Sequence, residues 1–243
     1  MGRYRISYQQ RLLAYLLFGG LFPLLLASMM ILYTADSVYE NTQAKSGRAE
    51  VQRISREIDN LVGSYQRLMN PLLVRGETIA FLRGERADVE NIYGDLYGIL
   101  AGRTGEAAIY LLSSDGAQVI ATDDLPHDYR LPENLHWGLL GRAVKGQNWV
   151  LISADRYEAD RRETVFSMAR AIREGDKLLG FAVIDVRREA LVPLIQRVQD
   201  GNEGQIILTD RYHYVMMDML DHHREGFSSV YSGSEEAASA SLF

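Results

Sequence analysis

The sequence predicts an α+β protein held behind a single N-terminal transmembrane helix, and three features carry that expectation. Residues Leu12 to Tyr33 form an apolar run of 22 positions without a charge. A long stretch of helical periodicity follows, free of proline until Pro71. From Glu106 the period changes to short apolar runs joined by turns. Helices that segregate in the chain from hairpin-joined strands predict an α+β domain, here with an antiparallel sheet of five strands.

At about 1.5 Å per residue, a helix over Leu12–Tyr33 covers roughly 33 Å, against a hydrocarbon core of about 30 Å. Arg3, Arg5 and Arg11 precede the run with no acid among them, and Asp36 and Glu40 are the first charges beyond it. Positive-inside bias then keeps residues 1–11 in the cytoplasm and sends everything after Tyr33 outward, with the lipid bilayer as the partner of residues 12–33. A cleaved secretory signal is the alternative, since Ala27 and Ala35 are small residues near the end of the run. Signal cores of about 7–15 residues are shorter than this one. A buried helix of a soluble protein is the third option.

Of 243 residues, 210 remain after Tyr33, enough for one large domain or two small ones. The formal net charge is −6, and setting aside the three N-terminal arginines leaves −9. So acidic a surface argues against nucleic acid and anionic lipid headgroups as partners. Cysteine is absent, so the domain must be stable on core packing alone. That also excludes thiolate metal sites, Cys nucleophiles and redox pairs.

From Asp36 to Asn70 one long helix is expected. Val51, Ile54, Ile58, Leu61, Val62, Tyr65, Leu68 and Met69 recur at spacings of three and four, with charges between them. Its first part, Asn41 to Glu50, is mostly polar and suits a stalk. Pro71 punctuates it, a short helix follows over Glu77–Leu82, and Asp88 is placed to cap a further amphipathic helix with Val89, Ile92, Tyr93, Leu96 and Leu100 on one stripe.

Ala107–Leu112 and Ala117–Thr122 flank the turn Ser113-Ser114-Asp115-Gly116 and read as a hairpin. A polar, proline-bearing loop then leads to a short helix around Trp137–Val144 and a strand over Asn148–Ser153. Thr164–Ile172 and Leu178–Val186 form a second hairpin about the turn Arg173–Lys177, and Arg187–Gln199 closes the module as a helix. Beyond Asp200-Gly201-Asn202, Gln205–Thr209 and Tyr214–Met219 open a second sheet, and the Ser/Ala/Gly/Glu-rich tail from Ser228 carries no periodicity. The chain is expected to stop inside that second domain.

The layout resembles the extracytoplasmic double Cache (PAS-like) sensor region of bacterial transmembrane receptors, most of all of sensor histidine kinases. The resemblance rests on the anchor and long helix to Pro71, on EAAIYLLSSDGAQVIAT (Glu106–Thr122), on VFSMARAI (Val165–Ile172) and on LLGFAVIDVRREAL (Leu178–Leu191). Gly180, Asp185 and Val186 match the family's Gly-x-x-x-x-Asp-Ile/Val pattern, and GQIILTDRYHYVMM (Gly204–Met217) resembles the first hairpin of a membrane-proximal module. The resemblance implies a PAS-like five-stranded distal module over 36–200 and an incomplete proximal one over 201–243. It departs from the amino-acid-sensing subset, which carries an Arg-x-Trp that this chain lacks. No second membrane helix, phosphoacceptor box or nucleotide-binding domain is present either.

PAS-like sheets bind small molecules against one face under inter-strand loops, which nominates Trp149, Tyr157, Arg170 and Asp185. Trp149 and Tyr157 would wall in a ligand, Arg170 would pair a carboxylate, and Asp185 would accept from an amine or hydroxyl. Core packing for Trp149 and structural capping for Arg170 and Asp185 are the competing roles. A turn centred near Gly175 would pair Arg170 with Gly180 and Asp185 with Val165, putting the two charges five residues, roughly 16 Å, apart and beyond ion-pairing reach.

His213, Asp218, Asp221, His222 and His223 are ligand types for zinc, although a solvated loop is the simpler reading, and no metal or cofactor is expected. Asp221-His222-His223 spells a phosphoesterase tripeptide without the further Asp motifs of that family. The chain has no G-x-S-x-G, H-E-x-x-H, P-loop or dinucleotide fingerprint, so nothing nominates a catalytic site. The expectation is a homodimeric, ligand-binding sensor region of a bacterial membrane receptor, a two-component histidine kinase first. A chemoreceptor, a cyclic-dinucleotide (diguanylate) cyclase sensor, or a membrane-anchored binding protein or enzyme without cytoplasmic output are the alternatives.

Overall fold

The computed structural model describes residues 17–103, 105–153, 163–199, 206–210, 213–220, 225–226 and 240–241, without the side chains of 17–18, 35–46 and 240–241. The chain divides into two units, Met1–Ala49 and Glu50–Phe243.

In the first unit a π-helical turn over Leu17–Leu21 opens into helix α1, Phe22–Leu73. Every residue from 19 to 34 is exposed, among them Leu24, Met29, Met30 and Tyr33. The span expected over Leu12–Tyr33 begins with five residues that lie outside the described ones. Among the described residues, no helix is long and apolar enough to cross a membrane. Phe22–Tyr33 supplies only twelve apolar helical positions before the polar stretch begins.

In the second unit α1 buries Ile54, Ile58, Tyr65, Met69 and Leu72, the predicted stripe, at roughly 1.5–3 kcal/mol for each large apolar side chain. Leu68, also assigned to that stripe, is 48% exposed. Pro71 does not end the helix: it withholds one backbone donor, but Leu72 and Leu73 are buried and hold the last turn. Helix α2 (Gly76–Leu82) follows, then α3 (Val89–Ile99), which Asp88 caps by accepting from the Asn91 N–H at 3.1 Å.

Strands β1 (Ala107–Ser113), β2 (Val119–Ala121), β3 (Val150–Ser153), β4 (Thr164–Glu174) and β5 (Lys177–Arg187) form one antiparallel sheet in the order β2-β1-β5-β4-β3. Helix α4 (Gly138–Lys145) precedes β3, and α5 (Arg188–Gln199) follows β5. One sheet face, with Ile109, Leu111, Met168, Ala182 and Ile184, belongs to the core that includes α1, α2, α3 and α5. The other, with Ala108, Tyr110, Ala169, Phe181 and Val183, lies beneath α4 and the loop ahead of it. At Gly180 a Cβ would sit 2.1 Å from the Leu112 carbonyl oxygen and 2.9 Å from Leu82 Cδ2, so only glycine lets β5, β1 and α2 approach this closely.

A second sheet has the order β7-β6-β8, from β6 (Ile207–Thr209), β7 (Val215–Asp218) and β8 (Ala240–Ser241). The tail was not expected to contribute a strand, yet two of its residues pair in parallel with β6. The smaller sheet is tied to β3, where the Ser153 hydroxyl donates to Asp210 Oδ2 at 3.3 Å, and to helix α5 through Arg188. Its guanidinium pairs with Glu225 Oε1 at 2.5 Å and donates to the Asp218 carbonyl oxygen at 2.7 Å.

The β4–β5 register differs from the expected one. The turn is two residues, Gly175 and Asp176, with Gly175 at φ +57°, and an irregularity lies between Ile172 and Arg173. Arg170 therefore pairs with Ala182 rather than Gly180, and Asp185 with Ser167 rather than Val165. The charges stand three residues apart along β4, roughly 10 Å at 3.3 Å each, and an odd spacing puts them on opposite faces.

Candidate functional site

Asp185 is the charged residue buried in the first sheet, 2% exposed in the interior strand β5. A buried carboxylate is stable only with hydrogen-bond partners. The Tyr129 hydroxyl donates to its Oδ1 at 2.5 Å. Small residues flank it on both neighbouring strands, Ala108 on β1 and Ser167 on β4.

Tyr129 reaches Asp185 from a short 3₁₀ turn, His127–Tyr129, in the loop that covers this face. Its ring meets Tyr110 edge-on, with centroids 5.4 Å apart. Beside it opens a cleft of about 330 Å³, bordered by Leu112, Gly116, Val119, Leu125, Tyr129, Arg130, Leu131 and Glu133, with Asp185 behind Tyr129 rather than in its lining. The loop can come down here because residue 116 is glycine: its φ is +72°, and a Cβ would lie 2.3 Å from the Leu131 carbonyl oxygen. Next to it, Asp115 has its carboxyl held below the ordinary range by hydrogen bonds from the Ser113 hydroxyl and the Ala117 N–H. This turn is a fixed wall. Away from the cleft, Arg173 donates to the Val144 carbonyl oxygen and anchors the end of α4.

The three described residues among the four nominated from sequence do not converge. Trp149 and Arg170 meet on the helix-covered face, where Trp149 Nε1 donates to Asn70 Oδ1 at 3.0 Å and the Arg170 guanidinium donates to the same oxygen at 2.7 Å. Asp185 lies on the opposite face with Tyr129, and Tyr157 lies outside the described residues. Sequence reasoning missed Tyr129 and Asn70. Tyr129 sits in an aperiodic loop, and Asn70 carries only its place ahead of Pro71 as a signal.

Of the candidate metal ligands, Asp221, His222 and His223 lie outside the described residues. Asp218 is fully buried and accepts from the Leu220 N–H, while His213 adopts a positive φ of 64° in the β6–β7 turn. Among the described residues, no group of three or more His, Asp or Glu could hold a metal ion.

No family model matches the chain. No curated protein matches it either. Solved structures do. The ligand-binding domain of the Pseudomonas aeruginosa PAO1 amino acid chemoreceptor PctC, in complex with GABA, is 17% identical with a TM-score of 0.55, over 78% of this chain and 79% of that one. The sensory domain of the Campylobacter jejuni chemoreceptor Tlp3 with isoleucine bound is 17% identical with a TM-score of 0.56, over 80% and 78%. The Vibrio cholerae histidine kinase DctB sensor domain is 14% identical with a TM-score of 0.52, over 76% and 68%. The chain shares its fold with the sensory domains of chemoreceptors and of a histidine kinase.

Proposed function

We propose that this chain is the extracytoplasmic small-molecule sensor region of a bacterial membrane receptor, with its ligand site on the loop-covered face of the first sheet. The observation that carries the reading is the buried Asp185, flanked by Ala108 and Ser167 and bonded by Tyr129 beside an open cleft. An acceptor set in an apolar surround with a few placed polar groups is what a small-molecule site requires. The ligand presents an ammonium or hydroxyl group to Asp185, and Tyr157 belongs to its wall. Trp149 and Arg170 serve the site from behind the sheet.

The mostly apolar, exposed stretch over residues 19–33 supports a membrane anchor over Leu12–Tyr33, with residues 1–11 cytoplasmic. Residues 36–200 form the distal module and 201–243 part of a proximal one, in a homodimer joined to a histidine kinase output. The likeness to chemoreceptor domains of P. aeruginosa and C. jejuni favours chemotaxis output as the second reading. In either case the ligand prefers one of two packings of the distal module, and that difference in affinity drives the signal.

The test is a thermal-shift screen of the full chain in detergent against amines, organic acids, sugars and peptides, beginning with GABA and isoleucine. A ligand at about 100 times its Kd adds about 2.7 kcal/mol, a shift of a few degrees. Binding that Asp185→Asn abolishes, in a variant of native fold, supports the site. Silence across the library in a folded sample overturns direct sensing.

A further inference from the structure

Asn70 stands three residues before the end of the 52-residue helix α1, and its side-chain oxygen holds two strands of the sheet at once. The Trp149 indole donates to it from the residue before β3, and the Arg170 guanidinium from within β4. A carbonyl oxygen has two acceptor sites, and both are in use. We propose that this tie is a coupling element, by which the outer strands set the position of α1 and through which changes on the loop-covered face reach the helix; it rests on the reading of that face as the ligand site.

The geometry of β3 makes the tie responsive. It is an edge strand, four residues long and half-buried throughout. Val150 and Ile152 pack on the loop-covered side, while Trp149 and Leu151 pack on the helix side. A shift of the loop and α4 against Val150 and Ile152 therefore moves Trp149 on the other face. Hydrogen bonds of 2.7–3.0 Å are lost within a displacement of about 1 Å, so the tie has a made and a broken arrangement. Such a two-state element is what coupling between sites requires. The helix yields at the same point: Pro71, the next residue, cannot donate to the Arg67 carbonyl, which leaves the last turn of α1 short of one bond. Asn70, Trp149 and Arg170 thus act as positioning residues, the indole and the guanidinium reading strand position and the amide oxygen relaying it.

The test needs no ligand. Amide hydrogen exchange over helix residues 52–69 would be compared in the full chain in detergent for the parent, Trp149→Phe, Tyr129→Phe and the double variant. Phe keeps an aromatic but smaller ring at residue 149 and removes its N–H donor, Asn70→Leu removes the acceptor with the indole left in place, and Tyr129→Phe perturbs the opposite face. Trp149→Phe is expected to speed exchange in 52–69 about fivefold to tenfold, the worth of one hydrogen bond. Tyr129→Phe is expected to speed the same amides in the parent and to add nothing once the tie is cut. Independent sites add to within about twofold, so additive effects, or no effect of Trp149→Phe on the helix, would overturn the coupling. Asn70→Asp, which keeps the oxygen acceptors, is expected to retain parent exchange, and Asn70→Leu to reproduce Trp149→Phe. A non-additive cycle together with a silent ligand screen would leave the tie standing and sink the sensing reading. An additive cycle together with a bound ligand would do the reverse.

Discussion

Tyr129 and Asp185, 56 positions apart in the chain, are joined by a hydrogen bond that pins the covering loop to an interior strand of the sheet. Both are almost fully buried, so the bond lies in a low-dielectric setting where a lost partner is felt in full. Tyr129→Phe keeps the edge-on contact with Tyr110 and removes only the hydroxyl. The expected cost is about 1–3 kcal/mol, read as a lower urea midpoint at unchanged m-value. Exchange should rise in the loop around residues 125–135 as well as in helix residues 52–69.

Gly116→Ala forces a side chain into the φ +72° region and against the Leu131 carbonyl oxygen at 2.3 Å. Left-handed backbone in a non-glycine residue costs about 1–3 kcal/mol before the clash is counted. The loop must lift, so both stability and any ligand affinity at the Tyr129 cleft should fall. Gly175→Ala, with positive φ but open space around its Cβ, is the control: it should lose stability without touching the cleft.

The five strands and two hairpins of the first sheet were legible because apolar runs and turn residues are local signals, while their order, set by long-range pairing, was not. LLGFAVIDV read as the returning strand of a hairpin, and Gly180 within it proves to be the close approach to Leu112. The β4–β5 register was not legible: whether the turn takes two residues or five is settled by Gly175 and by an irregularity that composition does not encode. The candidate site was half legible. Asp185 stood out as a charge in an apolar strand, but the face on which Trp149 and Arg170 lie depends on the contact with Asn70, 79 and 100 positions away. Long-range partners leave no periodic trace, and for the same reason Tyr129 passed as an ordinary loop residue.

Arg188 and Glu225 form an ion pair whose side chains are only 17% and 6% exposed, and the same carboxylate oxygen accepts from the Asp218 N–H. Removing one member of a buried pair costs about 3–5 kcal/mol, since the other stays desolvated. Arg188→Met is therefore expected to loosen β7 and the residues near Glu225 more than the first sheet. Hydrogen exchange would show this as selective deprotection of 215–219. Uniform deprotection of both sheets would show instead that the two fold as one cooperative unit.

Tyr65 offers the opposite case, a buried hydroxyl with only the Arg103 guanidinium nearby to offset its burial. It is fully buried, its oxygen makes no hydrogen bond of good geometry among the described residues, and the Arg103 guanidinium lies 5.6 Å from its ring centroid. Burial, with the Glu106 carboxylate adding to it, raises its pKa above the ordinary 10.0, and Arg103 offsets part of that rise. The sign follows from linkage: above pH 10 the unfolded chain releases this proton while the folded chain retains it, so stability is full below that pH and declines as pH rises beyond it. Tyr65→Phe removes an unsatisfied polar atom and keeps the ring under Arg103, so its effect at pH 7 should stay within about 1 kcal/mol. The variant should lose less stability than the parent between neutral pH and pH 11. Paired urea titrations at the two pH values decide it, and an equal alkaline loss in both proteins would locate the titration elsewhere.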